Sequence, residues 1–245
     1  MATDSKAQRL RTSRLVPQIP FVLSWLRHVD TNAADLLVYA PKNVSEREAS
    51  KAWDQILSSL DTYGDLSTEQ LRRICANQEP IVWAKAILQL FETATPQIVT
   101  DKAFLMLLGA SNKIKNEDDG AQVASKLVPE LDQIRISCLE ALGEVSALIR
   151  DTASDPEDAA MKLGPSFLLE SVVPGPEVDA ASRIMRLLVV HADSVFGKPG
   201  AVSTFDALGA RPRSAEEVFD GQSQLSSRSA REQKVANALA DAGFM

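Results

Sequence analysis

The stretch PIVWAKAILQLFE, residues 80–92, constrains the fold of this chain more than any other. Only Lys85, Gln89 and Glu92 interrupt an apolar surface that runs around the whole helical circumference. A surface helix keeps a polar face toward water, so a helix of this kind has to be enclosed by other elements. The chain must therefore build a multi-helix core around it, and 45% hydrophobic residues are enough to do so.

The remaining segments supply those helices. Pro20 can open a helix whose broad apolar face holds Phe21, Val22, Leu23, Trp25, Leu26 and Val29. Ser45 is placed to cap a helix with Ala49, Ala52, Trp53, Ile56, Leu57 and Leu60 at helical spacing. Ser67 and Gln70 have the spacing of a capping box, and Thr100-Asp101 opens a further helix. Pro129 is read as starting a long helix over 131–149, and residues 176–196 as the last core helix. No strand alternation and no internal repeat is visible. The expectation is an all-α, single multi-helix domain over residues 15–200, of about eight or nine helices, with Trp53, Leu88, Leu131, Leu142 and Leu188 buried.

One segment breaks the pattern. DAAMKLGPSFLLES, residues 158–171, begins as an amphipathic helix, meets Gly164-Pro165, and becomes apolar again at Phe167-Leu168-Leu169. Pro165 has no N–H to donate and its ring crowds the preceding turn. The helix is therefore predicted to end at Gly164, with Phe167 and Leu168 buried against the 131–149 helix.

Charge and composition narrow the function. A net charge of −7 and a pI near 5.0 disfavour a general binder of nucleic acid or of anionic membranes. Lys6, Arg9, Arg11 and Arg14 form a basic cluster, read as a flexible tail over residues 1–14 in preference to a lipid-binding arm. Residues 201–245 are polar and read as a flexible C-terminal tail, in which 229–245 can form a short partner-binding helix. Cys75 and Cys138 lie in apolar helical patterns and are expected as buried reduced thiols. Without a signal-peptide pattern or a run of 18 apolar residues, the expectation is a soluble, cytoplasmic protein.

Chemistry-bearing motifs are scarce. His28 and His191 are far apart in sequence, no Cys/His set has zinc spacing, and no glycine-rich loop could cradle a phosphate. Ser166 lacks a nucleophile elbow, and NEDDG at 116–120 lacks the ligand alternation of a calcium loop. No catalytic residue, metal or cofactor is expected.

Separated pieces of the chain resemble the Rho GTPase-activating (Rho-GAP) family. VPQIPFVLSWL (16–26) is similar to its opening helix, and VWAKAILQLFETATPQIV (82–99) to its central helix, with Pro96 at the second proline of the L-P-E-P-L turn. LVPELDQIRISCLEALGEVSALI (127–149) resembles the L-P-x-x-N-x-x-x-L helix, and DPEDAAMKLGPSFL (155–168) the N-L-A-x-x-F-G-P-S-L segment. The resemblance implies a Rho-GAP-like fold over roughly residues 15–196.

The departures bear on activity. Active members deliver an arginine from a G-I-F-R loop to the transferred phosphoryl group. The corresponding stretch DLLVYAPK (35–42) puts Val38 or Tyr39 there, and no arginine occurs between residues 28 and 46. Lys42 is nearby but lacks the planar guanidinium fork. Where the family's central helix presents a lysine and an arginine, this chain has Ile87 and Phe91, which either form an exposed apolar patch or turn inward. A two-residue slip in register would bring in Lys85 instead, and the family asparagine is replaced by Asp158.

These losses resemble the catalytically inactive Rho-GAP-like domains of inositol polyphosphate 5-phosphatases and of phosphatidylinositol 3-kinase regulatory subunits. The likeness implies a non-catalytic interaction module that binds a small GTPase of the Rho or Rab type, or an adaptor peptide, and meets membranes only through its partners. Val38, Tyr39, Lys42, Lys85, Ile87, Phe91 and Asp158 are the expected partner-binding residues. Two alternatives stand beside it: an active GTPase-activating protein with a displaced Lys42 or Arg47, and a structural assembly subunit.

Overall fold

The computed structural model describes residues 2–95, 97–169, 172 and 174–197. Pro96 and the 201–245 segment, with its expected turn and terminal helix, lie outside the described residues. The described residues form helices and connecting turns only, as the periodicity predicts. In chain order these are α1 (Ala2–Leu15), a 3₁₀ turn (Val16–Gln18), α2 (Ile19–Val29), α3 (Ala33–Asn43), α4 (Glu46–Tyr63), α5 (Thr68–Ala76) and α6 (Pro80–Thr93). There follow α7 (Asp101–Ser111), α8 (Gly120–Leu131), α9 (Ile136–Thr152), α10 (Pro156–Leu168), α11 (Pro176–Val190) and α12 (Ala192–Val195).

The caps form as the sequence dictates. Ser45 and Glu48 make a reciprocal capping box on α4, and Ser67 and Gln70 make one on α5. The Thr100 side chain accepts from the Ala103 amide, and Asp155 accepts from the amides of Glu157 and Asp158.

Helix α6 runs through the centre and packs against α2, α3, α4 and α10. Trp53 of α4 donates from Nε1 to the Ala86 carbonyl of α6 (2.7 Å), and Trp83 of α6 donates to the Cys75 carbonyl of α5 (2.9 Å). The two indoles meet edge to face, 5.5 Å between centroids, so both rings are buried with their polar handles satisfied. Trp53, Leu88, Leu131, Leu142 and Leu188 are all in the core. Cys75 and Cys138 are buried free thiols; burial pushes Cys75 far up and Cys138 up to about 12, so neither is a thiolate at neutral pH.

Several expectations are corrected. The expected tail over 1–14 is, from Ala2 on, a helix: α1 is docked on α4, with Arg11 paired to Asp54 (2.7 Å) and Arg14 to Asp61. Thr12, 1% exposed, accepts from the Thr95 amide, and Gln8 donates to the Thr93 carbonyl at the end of α6. Two of the cluster's cations, Arg11 and Arg14, thus have acidic partners far away in sequence, on α4. Pro129 lies inside the last turn of α8, the chain turns over 132–135, and α9 starts only at Ile136, so the expected 131–149 helix is two helices. The expected 176–196 helix is likewise interrupted at His191.

The Gly-Pro segment does not end its helix either. Helix α10 continues through Gly164 and Pro165 to Leu168. Pro165 leaves the Met161 carbonyl, four residues back, without its intrahelical donor. Ser182 of α11 supplies the replacement, donating from Oγ to that carbonyl at 2.8 Å. Gly164 permits the approach: a Cβ there would lie 2.7 Å from the Ala181 carbonyl oxygen and 2.9 Å from the Met185 Cβ. Phe167 and Leu168 are buried as expected, with the Phe167 ring edge to face on Phe91, 4.8 Å between centroids.

Candidate functional site

Helix α3 is held from beneath and at its start. It packs against α6, α9 and α10. Its Ala34 amide donates to the buried Thr152 Oγ1 at the end of α9 (2.9 Å), while Ser154 donates to Asp35 (3.0 Å). Ala33, Ala34, Leu37 and Ala40 are fully buried, which fixes the rotation of the helix about its axis. That rotation leaves Val38 half-buried against the core, Tyr39 59% exposed and Lys42 exposed one turn further on. The segment expected as a loop is thus a helix with one apolar and one accessible face.

Asp158, on the first turn of α10, joins this surface through Lys162. The Lys162 ammonium lies 2.6 Å from the Asp158 carboxylate. That contact, with a smaller contribution from Tyr39, holds the ammonium above its ordinary value. Tyr39, Lys162 and Asp158 therefore form one patch across α3 and α10, with Lys42 beside it. Lys162 escaped the sequence reading, although its i, i+4 spacing from Asp158 was available as a signal.

The α6 residues do not belong to this patch. Ile87 is 0% and Phe91 6% exposed, so the expected apolar partner surface at these positions is replaced by core. The cause is the helix's enclosure: α2, α3, α4 and α10 all pack on α6, and Phe91 supplies the ring on which Phe167 packs. Lys85 is half-buried, one turn before Gln89, which donates to Ser50 Oγ of α4 (3.2 Å). Lys85 thus shares the stripe that faces α4.

Two charged clusters lie elsewhere. Glu117, in the α7–α8 connection, accepts from Arg183 and Arg186 of α11 (2.7 Å each), and Arg186 also pairs with Glu157 of α10 (2.6 Å). Hydrogen bonding from Arg183 is the largest of the effects that hold the Glu117 carboxyl below its ordinary value. His191 Nε2 donates to the Glu117 carbonyl (2.7 Å), so this histidine clamps a loop. His28 is exposed on α2. On the other side, Glu144 of α9 is 4% exposed, 3.8 Å from Arg27 of α2, with one carboxylate oxygen lacking a hydrogen-bond partner. Burial pushes its carboxyl up to about 7 despite the opposing pull of Arg27. Both clusters tie separate elements of the fold together. Among the described residues no group of three or more His, Cys, Asp or Glu side chains is arranged to hold a metal ion. No described helix is long and apolar enough to cross a membrane.

No family model, no curated protein and no solved structure matches this chain.

Proposed function

We propose that this chain is a non-catalytic, Rho-GAP-like interaction module that engages a small GTPase of the Rho type through the α3–α10 surface. The observation that carries the reading is Tyr39: an aromatic side chain 59% exposed on a helix whose opposite face is wholly buried. Tyrosine on a rigid base offers contact area and a hydroxyl at low entropic cost, which is why it anchors interfaces. Lys42 and Lys162 flank it with positive charge suited to an acidic switch surface. The same stretch has no arginine between residues 28 and 46 to send toward a phosphoryl group.

An adaptor peptide is the second occupant class, and the resemblance of 155–168 to the family's G-P-S-L segment supports either. The alternative with catalysis relies on Lys42 or on Arg47, which is exposed in the first turn of α4. Affinity measurements on the full chain with Rho-type GTPases in both nucleotide states test the proposal. The expected result is saturable binding weakened about tenfold or more by Tyr39→Ala, a loss of the size that anchor residues give. Binding unchanged by Tyr39→Ala and Lys42→Ala together would remove this surface from the account.

A further inference from the structure

Helix α7 has the same character as α6 and a different fate. Between Ala103 and Ala110 it carries no polar side chain, so its apolar surface runs around the circumference. Helix α6 is enclosed by its neighbours, whereas α7 packs chiefly on α8 and α11 and keeps a face toward solvent. On that face Leu105 is 62% exposed, Gly109 is exposed one turn on, and Met106 and Leu108 are half-buried at the margins. A Cβ at Gly109 would meet no atom within 4 Å, so the glycine leaves a notch beside Leu105. Single exposed apolar side chains are ordinary, but a helix that is apolar all round calls for a cover on every face.

Position and pattern select that cover. The last described residue, Gly197, follows α12, which packs on α8, and α8 packs on α7. Two helix spacings of about 8–10 Å each therefore separate the end of the described chain from α7. The sequence continues from Lys198, and in 229–245 Val235, Ala238, Leu239 and Ala242 recur at the i, i+3, i+4, i+7 positions of one helical face. Lys234, Asn237 and Asp241 fall off that face. A tether of the length of 198–228 spans roughly 30 Å without being stretched, which is enough to bring the segment to α7. Tethering holds the segment at an effective concentration in the millimolar range, above that of a free second copy in a dilute sample. We propose that residues 229–245 dock intramolecularly on the outward face of α7, with Val235 and Leu239 on Leu105 and in the Gly109 notch. The segment expected to bind a partner is thereby assigned to the chain's own surface. The proposal does not rest on the partner assigned to the α3–α10 surface.

Paramagnetic broadening in the full chain tests it. Cys75 and Cys138 are buried thiols, so a cysteine introduced by Asn237→Cys, off the apolar face, is the one that takes a nitroxide label. The labelled chain should show selective loss of the Leu105, Leu108 and Gly109 amide signals, recovered when the nitroxide is reduced. Leu239→Asp in the same chain should restore all three, because a carboxylate resists burial against an apolar helix. Leu105→Asp should restore Leu108 and Gly109 while the thermal melt stays in place, since position 105 is exposed. Nitroxide-bearing chains mixed with isotope-labelled chains that lack the nitroxide should give no loss at these amides. Absence of selective loss, loss that survives Leu239→Asp or Leu105→Asp, or loss in the mixed sample, which would put a second copy on the face, would each overturn the proposal.

Discussion

Helix α10 meets α11 through a glycine, whereas helix α1 meets α4 through two arginines. The first contact is close: Gly164 has no room for a Cβ, and a serine hydroxyl replaces the hydrogen bond that Pro165 forfeits. The second is a rim contact, with Arg11 and Asp54 side chains 34% and 54% exposed. Interdigitated packing at short range responds to a single added methyl, while exposed ion pairs are screened by water and salt. The same fold thus contains one joint specified by shape and one specified by charge, and the two should respond to different perturbations.

The largest expected effect is at the shape joint. Phe167→Ala removes a ring that is 2% exposed and packed on Phe91, and should cost about 3–5 kcal/mol in a denaturant melt. Gly164→Ala should cost about 1–3 kcal/mol although alanine is the better helix former, because the new methyl meets the α11 backbone. A stabilised Gly164→Ala protein would show that the joint has slack. Ser182→Ala should cost about 1 kcal/mol by leaving the Met161 carbonyl without its donor.

Glu144 sharpens the comparison because it is a charge placed inside rather than at the rim. Its folded carboxyl titrates near 7, above the ordinary 4.5, so the folded state holds the proton more tightly. Stability should therefore be fully present below about 4.5 and decline as pH rises toward 7. Glu144→Gln should flatten that part of the pH profile; an unchanged profile would mean that the carboxyl is not the titrating group. The smallest effects belong to α1. Arg11→Gln and Arg14→Gln should each cost about 0.2–1 kcal/mol, with the cost shrinking as salt is added. Loss of amide-exchange protection confined to α1 would locate the effect there.

Much of the fold was legible in the sequence where one short-range rule acted alone. Ser45, Ser67 and Thr100 cap the helices that their spacing announces, and the apolar circumference of 80–92 places α6 at the centre. Legibility failed where a distant residue overrode the local rule. Pro165 obeys its local chemistry, but Ser182 offsets the lost donor and the helix runs on. Helix α1 shows no apolar stripe, since what holds it are Asp54 and Asp61 on α4 and the end of α6. At the candidate surface, the accessible positions of α3 follow from the burial of Leu37 and Ala40. Ile87 and Phe91 could be assigned inward only once α6 was seen to be enclosed by α2, α3, α4 and α10.

A competition assay distinguishes the proposed binding of a Rho-type GTPase without catalysis from its alternatives. Hydrolysis of GTP by a Rho-type GTPase is followed in the presence of a fixed amount of an active GTPase-activating protein, while the full-length chain is titrated in. The account predicts a dose-dependent slowing of the stimulated rate, relieved by Tyr39→Ala, and no stimulation when the chain is the sole addition. Stimulation by the chain alone that is abolished by Lys42→Ala or Arg47→Ala, or a stimulated rate that never changes as the chain is added, would contradict it.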